Sequence, residues 1–337
     1  MWHIVWYTLL GLLLAGYLAL DGITLGTGIV GRALARDEAE RRTVAAATGP
    51  FFLGNEVWLI AAGGIVLGGF PGLESSVISG LYPLVVLAVG ALLVREAATQ
   101  FRRRVPGARW RGFWDGLVLL TCLLLALTWG ALGGALLGTL PLRGGHLDID
   151  PSLLLRPVPV LSALTAVAVF ALHATVFLAV RAAGPLAERA VSAAGRLAPA
   201  AAGLAVLTAA AAVADGNARD GLLSPLPAAL LLLAAVAALL LAPRLAAHGR
   251  RGLAPLASGF AALAPVLILG AAHYPQALVS GAGPHENLSV AEAAADPSTL
   301  GVVGPVVLFV LPVLLAFQAM QWWAFRGRTD DRSPAYF

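Results

Sequence analysis

The chain has 337 residues, 59% of them hydrophobic and 12% charged, with a mean hydropathy of +0.85. A soluble domain carries roughly a quarter charged residues, so a water-soluble globule is excluded, and the apolar residues gather in blocks of about 20, the length that crosses ~30 Å of hydrocarbon. The formal charge of +4 would admit nucleic acid as a partner, but the chain has no lysine and its arginines are scattered between apolar blocks, where they read as topology signals.

Along the chain, nine spans are expected near 4–30, 50–70, 76–100, 113–138, 158–181, 196–214, 226–242, 254–273 and 302–325. The blocks are continuous and rich in Leu, Ala, Val and Gly, which predicts helices and not the alternating strands of a barrel. The first block is too long for a signal-peptide core, and arginine follows it instead of preceding it, so it reads as a retained helix. Nineteen arginines, Arg95 and Arg102 among them, are assigned to the segments after the odd-numbered spans, and only Arg143, Arg156 and Arg219 to the others. Asp148 and Asp150 fall in those other segments and Arg332 in the tail. Positive charge stays on the cytoplasmic side, so the N-terminus is expected outside and the C-terminus inside. The expectation is an all-α, polytopic, multi-pass protein of a prokaryotic plasma membrane.

An ionisable side chain inside lipid costs on the order of 2.5–3.5 kcal/mol and needs a partner or a task. Asp21 is followed by Gly22, Gly26 and Gly28, which let neighbouring helices approach closely. Asn55 and Glu56 open the second span, with Trp58 one turn on. Asp21 and Glu56 either have a structural role, capping broken helices or pairing with arginines, or form a polar track leading protons or a quinone headgroup into the membrane. His173 sits near mid-depth in the fifth span, where imidazole could ligate haem iron, but no second mid-depth histidine completes a pair, and an interhelical hydrogen bond is the expected role. Asp115, just after Trp110-Arg111, is expected to cap the fourth span at its N-terminus. Cys122 has no partner, which excludes an internal disulfide and cysteine-based metal sites.

These residues together resemble subunit II of the cytochrome bd-type quinol oxidases. The similarity is carried by Asp21-Gly22-Ile23-Thr24-Leu25-Gly26-Thr27-Gly28, by Arg41-Arg42 before Gly49-Pro50, and by Gly54-Asn55-Glu56-Val57-Trp58-Leu59 with Ala62-Gly63-Gly64. Phe70-Pro71, Gln100-Phe101-Arg102, Trp110-Arg111 with Asp115, and His173 before Phe177-Leu178 follow in order. Leu288-Ser289-Val290, Ser298-Thr299-Leu300, Pro312, Gln318, Trp322 and Phe325-Arg326 complete the match.

The resemblance implies one membrane domain of two four-helix bundles, 4–138 and 158–273, plus a peripheral final helix, 302–325. It implies a homologous subunit I that carries haem b and haem d and oxidises quinol as dioxygen is reduced to water, while this subunit is haem-free and holds no metal. A small single-helix accessory subunit, membrane lipid and a structural quinone are further expected partners; nucleic acid is not. Thr24, Leu53 and Gln100 are neutral where many family members have an acid lining a proton route from the cytoplasm. Glu96, one turn before Gln100 on the same helix face, is the expected substitute, with both placed at the cytoplasmic mouth. Asp21, Asn55, Glu56, Trp58, Glu96, Gln100 and Asp115 are thus the candidates for a proton path or polar core, and His173 the interhelical polar residue. A secondary transporter with Asp21 and Glu56 in a coupling-ion site, and a paralogue without turnover, are the alternatives.

Overall fold

A computed structural model describes residues 2–143, 146–147, 151–330 and 333; Asp148, Asp150 and Arg332 lie outside them. Among the described residues nine helical stretches are long and apolar enough to cross a membrane. The helices are α1 (Trp2–Leu34), α2 (Glu38–Thr48), α3 (Phe52–Gly69), α4 (Pro71–Leu73), α5 (Tyr82–Phe101), α6 (Ala108–Leu136) and α7 (Pro157–Arg181). They continue as α8 (Pro185–Ala214), α9 (Gly216–Gly221), α10 (Pro225–Ala247), α11 (Leu253–His273), α12 (Val290–Ala293) and α13 (Pro297–Ala324). Through a short 3₁₀ turn at Gly49–Phe51, α2 runs on into α3, and the two make one span. The sixth span is longer than expected: α8 starts at Pro185 and not near residue 196. The third begins later than expected, at Tyr82, because a π-helical turn at Glu74–Ile78 precedes it.

Local chemistry fixes the ends of these helices. Pro157, Pro185, Pro225 and Pro297 each stand in the first turn, where the missing N–H costs nothing and φ is already helical. Gly184, at φ 66°, supplies the left-handed turn that reverses the chain between α7 and α8. At α13, Asp296 accepts from the backbone N–H groups of Ser298 and Thr299, and Ser289 with Glu292 forms a reciprocal capping box for α12. Those caps explain the Leu288-Ser289-Val290 and Ser298-Thr299-Leu300 signatures.

Packing centres on α1 and α7, the most enclosed spans. Helix α1 touches α3, α6, α7 and α11, while α7 also packs on α6, α8, α10 and α11. Gly26 lies directly against the backbone carbonyl of Phe170, and Gly130 of α6 against that of Ser162, so the helices meet backbone to backbone. The least enclosed span is α13, which rests on α3.

The two ends of the molecule differ. At one, hairpins β1–β2 (Leu142–Arg143 with His146–Leu147) and β3–β4 (Gln276–Leu278 with Leu288–Ser289) tie the loops together. At the other, the arginine-rich end, the chain after α13 returns to α7. There Thr329 N–H donates to Arg181 O at 2.8 Å and Ala183 N–H to Thr329 O at 3.0 Å.

Candidate functional site

Three helices build a charged centre in the membrane interior. Arg95, on α5, is only 1% exposed. Its Nη1 donates to both oxygens of Asp21 on α1, at 3.0 and 3.3 Å, and its Nη2 pairs with Glu56 Oε1 on α3. The ring of Phe52 lies 4.9 Å below the guanidinium. Asp21 is fully buried, and the Thr24 hydroxyl donates to its Oδ1. The fully buried Tyr17 lies beside it on α1 and packs against Trp129 of α6 at 5.3 Å between ring centroids.

Neither Asp21 nor Glu56 caps a broken helix; both neutralise one arginine, since a buried carboxylate without a cation would carry its full desolvation penalty. The sequence groups Arg95 with the loop arginines, and the structure corrects this: it lies buried within the apolar helix Tyr82–Phe101. The signal was an arginine six residues inside the end of an apolar block, where its cost demands a partner.

Around this centre runs a ladder of neutral polar bonds. Asn55 Nδ2 donates to Leu20 O of α1 at 2.9 Å, and Gln318 Nε2 of α13 donates to Asn55 Oδ1 at 3.4 Å. Trp58 Nε1 donates to Gln318 Oε1 at 3.3 Å, and Gln321 Nε2 donates to Pro50 O at 2.8 Å. Asn55 and Trp58 thus hold α1, α3 and α13 together from inside the chain.

The Glu96 carboxyl faces that of Glu56, and its Oε1 is buried without a partner. Gln100 points away: it is exposed, and Thr99 takes its place on the wall of the cavity beside Arg95. Leu53 is 55% exposed. Of the three neutral positions only Thr24 reaches the buried site, so they do not trace one track through this chain.

Asp115 does not cap its helix. α6 begins at Ala108, two turns earlier, and Asp115 Oδ1 instead accepts from Arg102 Nε at 2.5 Å. The remaining Arg102 donors take Glu38 of α2 at 2.9 and 3.2 Å. Paired with both acids, the Arg102 guanidinium is held well above its usual pKa against the opposing effect of burial.

His173 bridges three helices. Its Nε2 lies 2.8 Å from Ala19 O on α1 and its Nδ1 2.7 Å from Ser258 Oγ on α11. A carbonyl only accepts, so Nε2 carries the proton and Nδ1 accepts from the serine hydroxyl. With both nitrogens engaged, the ring fits the interhelical role and does not fit an iron ligand. Among the described residues no group of three or more His, Cys, Asp or Glu could hold a metal ion.

A second, apolar cavity of about 320 Å³ lies between α6, α7, α8, α10 and α11, its few polar atoms including the Thr165–Thr208 hydroxyl pair at 2.8 Å.

Comparison with known proteins agrees with this architecture. Residues 2–325 match the family model described as cytochrome bd terminal oxidase subunit II. The chain is 27% identical to a Bacillus subtilis cytochrome bd ubiquinol oxidase subunit 2 over 98% of both chains. It is 29% identical to the Escherichia coli K12 cytochrome bd-I ubiquinol oxidase subunit 2 over 54% of this chain and 49% of that one. A chain of the bd oxidase structure from Geobacillus thermodenitrificans superposes with a TM-score of 0.74 at 19% identity, covering 95% of this chain and 98% of that one, which shows a shared fold.

Proposed function

The chain belongs to the cytochrome bd terminal oxidase subunit II family, and from that premise we propose that it is the haem-free membrane subunit supporting a haem-bearing subunit I in quinol oxidation coupled to reduction of dioxygen to water. The observation that carries the reading is the family match over residues 2–325, joined to the buried Asp21–Arg95–Glu56 centre built on the family's two N-terminal signatures. The haems b and d would supply electron transfer and oxygen reduction in the partner. Among the described residues the two buried histidines are already engaged, which supports the haem-free reading: His173 bonds through both nitrogens, and His273, at a helix end, lies 3.3 Å from Leu137 O.

The reading includes the orientation and grouping of the spans. The arginine-rich end faces the cytoplasm. Helices α1, α3, α5 and α6 form one four-helix bundle and α7, α8, α10 and α11 the other, with α13 peripheral. The apolar cavity in the second group is where a structural quinone or lipid chain would lie; a single-helix accessory subunit would add to the lipid-facing surface.

Within this chain, the residue fitted to hold and release a proton is Glu96. Asp21 and Glu56 are paired with Arg95, whereas among the described residues no cation lies within ion-pair distance of Glu96 and its Oε1 is buried without a hydrogen-bond partner. The cavity beside Arg95 and Thr24 is walled by Arg32, Arg41, Arg102 and Arg103 of the arginine-rich end, which supports water access to this centre from that side. Arg95 stays cationic and orients the carboxylates.

Purifying the tagged chain from native membranes tests the assignment. It should co-elute with a larger haem-bearing polypeptide and consume oxygen when given quinol; a haem-free preparation that accumulates a solute in vesicles would establish a transporter instead. Glu96→Gln in the assembled complex should slow oxygen consumption and proton uptake by about 10²-fold if Glu96 relays protons. Unchanged rates for both would remove it from the path.

A further inference from the structure

The cavity that opens at the arginine-rich end holds more positive charge than its acids balance. Its volume is about 160 Å³, and Arg32, Arg41, Arg95, Arg102 and Arg103 share its wall with one acid, Asp115. Arg95 is neutralised by Asp21 and Glu56, and Arg102 by Glu38 and Asp115. Arg41 reaches only those last two carboxylates, at 3.7 and 3.9 Å, and Arg111 leans on Glu38 at 3.8 Å. Two acids thus serve three arginines, and among the described residues no carboxylate lies within ion-pair distance of Arg32 or Arg103.

Two donors on the wall point to what is missing. Arg41 Nε and Arg95 Nε are both buried without a hydrogen-bond partner, and Arg95 is almost wholly enclosed. The Cys122 thiol, a weak acceptor, shares the cavity wall with Arg95. A buried N–H left unpaired bears its desolvation penalty uncompensated. The guanidinium of Arg103 is exposed at the cavity rim with the like charges of Arg102 and Arg42 close by, a repulsion that an anion would relieve.

The setting narrows the chemistry. Guanidinium forks match the oxygens of phosphate, and the cavity has room for about five waters, enough for one tetrahedral oxyanion. Beside the Arg102–Asp115 pair stands an aromatic cluster of Phe101, Trp110, Phe113 and Trp114, with Trp110 Nε1 donating to Phe101 O at 2.9 Å. Such clusters mark headgroup depth, where lipid phosphates lie.

We propose that this vestibule is a phosphate-binding site, taking either the headgroup phosphate of an anionic lipid or free inorganic phosphate, with Arg41 and Arg103 as its principal ligands. The site is a property of this chain's own arginines and holds whether or not the oxidase assignment does.

The test uses the chain with whatever polypeptide co-purifies with it. Thermal unfolding is followed in detergent with inorganic phosphate against chloride at matched ionic strength, and in nanodiscs of phosphatidylcholine alone or with phosphatidylglycerol. A rise in melting temperature with phosphate over chloride identifies free anion as the source; a rise with phosphatidylglycerol alone identifies lipid. Arg41→Gln with Arg103→Gln should weaken whichever binding is seen about tenfold or more, the equivalent of one charged hydrogen bond. Arg250→Gln, an exposed arginine outside the cavity wall, should leave it intact. No rise with phosphate or with phosphatidylglycerol, or a rise that survives the double substitution, overturns the proposal. If the double variant does not assemble, Arg103→Gln alone, at an exposed side chain, carries the same comparison, and a rise it leaves unweakened overturns the proposal.

Discussion

An arginine in the middle of a membrane helix is tolerated only where its charge is met, and Arg95 is met twice, by Asp21 and by Glu56. Its worth is therefore that of a network and not of a surface pair. Arg95→Met leaves two carboxylates without their cation and should destabilise the protein by about 3–5 kcal/mol, read as a lower melting temperature of the purified complex. Adding Asp21→Asn to Arg95→Met should recover much of that loss, because the fully buried charge goes with its partner. A double variant no more stable than Arg95→Met alone would show that Asp21 is not what Arg95 serves. The sequence announces Asp21, Asn55, Glu56 and Trp58 through their placement in apolar surroundings; Asp21 and Glu56 meet at Arg95, and Asn55 and Trp58 at Gln318. It conceals Arg95, which resembles the loop arginines a few residues on, and it misreads Asp115, whose ion-pair partner Arg102 stands across a helix turn-around that no local pattern encodes.

At the scale of the helix, contact is set by what is absent from the side chain. The close approach of α1 to α7 rests on Gly26 lying against the Phe170 carbonyl, and that of α1 to α3 on Gly16 lying under the Trp58 ring. A methyl group at either position meets these atoms directly. Gly26→Leu should abolish stable assembly, while Gly11→Leu, where no atom outside the local helix lies within 4 Å, should be silent. Fluorescence-detected gel filtration of tagged variants separates the two, and equal yields of both would mean that the helices do not meet this closely. Helix existence and number are legible because twenty-residue apolar blocks have few other uses in lipid. The late start of α5 is not, since the π-helical turn at Glu74–Ile78 ends in Val77 and Ile78, which run on into the apolar block without a local break signal. Nor is the backward extension of α8 to Pro185, whose first turns carry Glu188 and Arg189 and read as loop. Arg189 is instead bound there, donating to Leu34 O at 3.1 Å and pairing with Glu40.

Across the whole molecule, among the described residues, the ion pairs that are wholly or partly buried gather at one centre and one end. Nearly everything else is Ala, Leu, Val and Gly in close contact, with α13 laid along the outside and fastened by Gln318, Gln321 and the stacked Phe51–Trp322 pair, 4.5 Å between centroids. That distribution suits a subunit that shapes and hydrates its neighbour while the iron chemistry proceeds elsewhere. The family signatures are legible in the sequence; that Asp21 and Glu56 share Arg95, which neighbours Glu96 on α5, emerges only when α1, α3 and α5 are brought together. The most direct measurement is the dithionite-reduced minus air-oxidised optical spectrum of the purified complex, taken for wild type and for His173→Ala, and again on each polypeptide after the two are separated. The account predicts b- and d-type haem bands in the complex, the same bands in the variant, and haem retained with the partner polypeptide alone. Haem bound to the isolated chain and lost on substitution of His173 would contradict it.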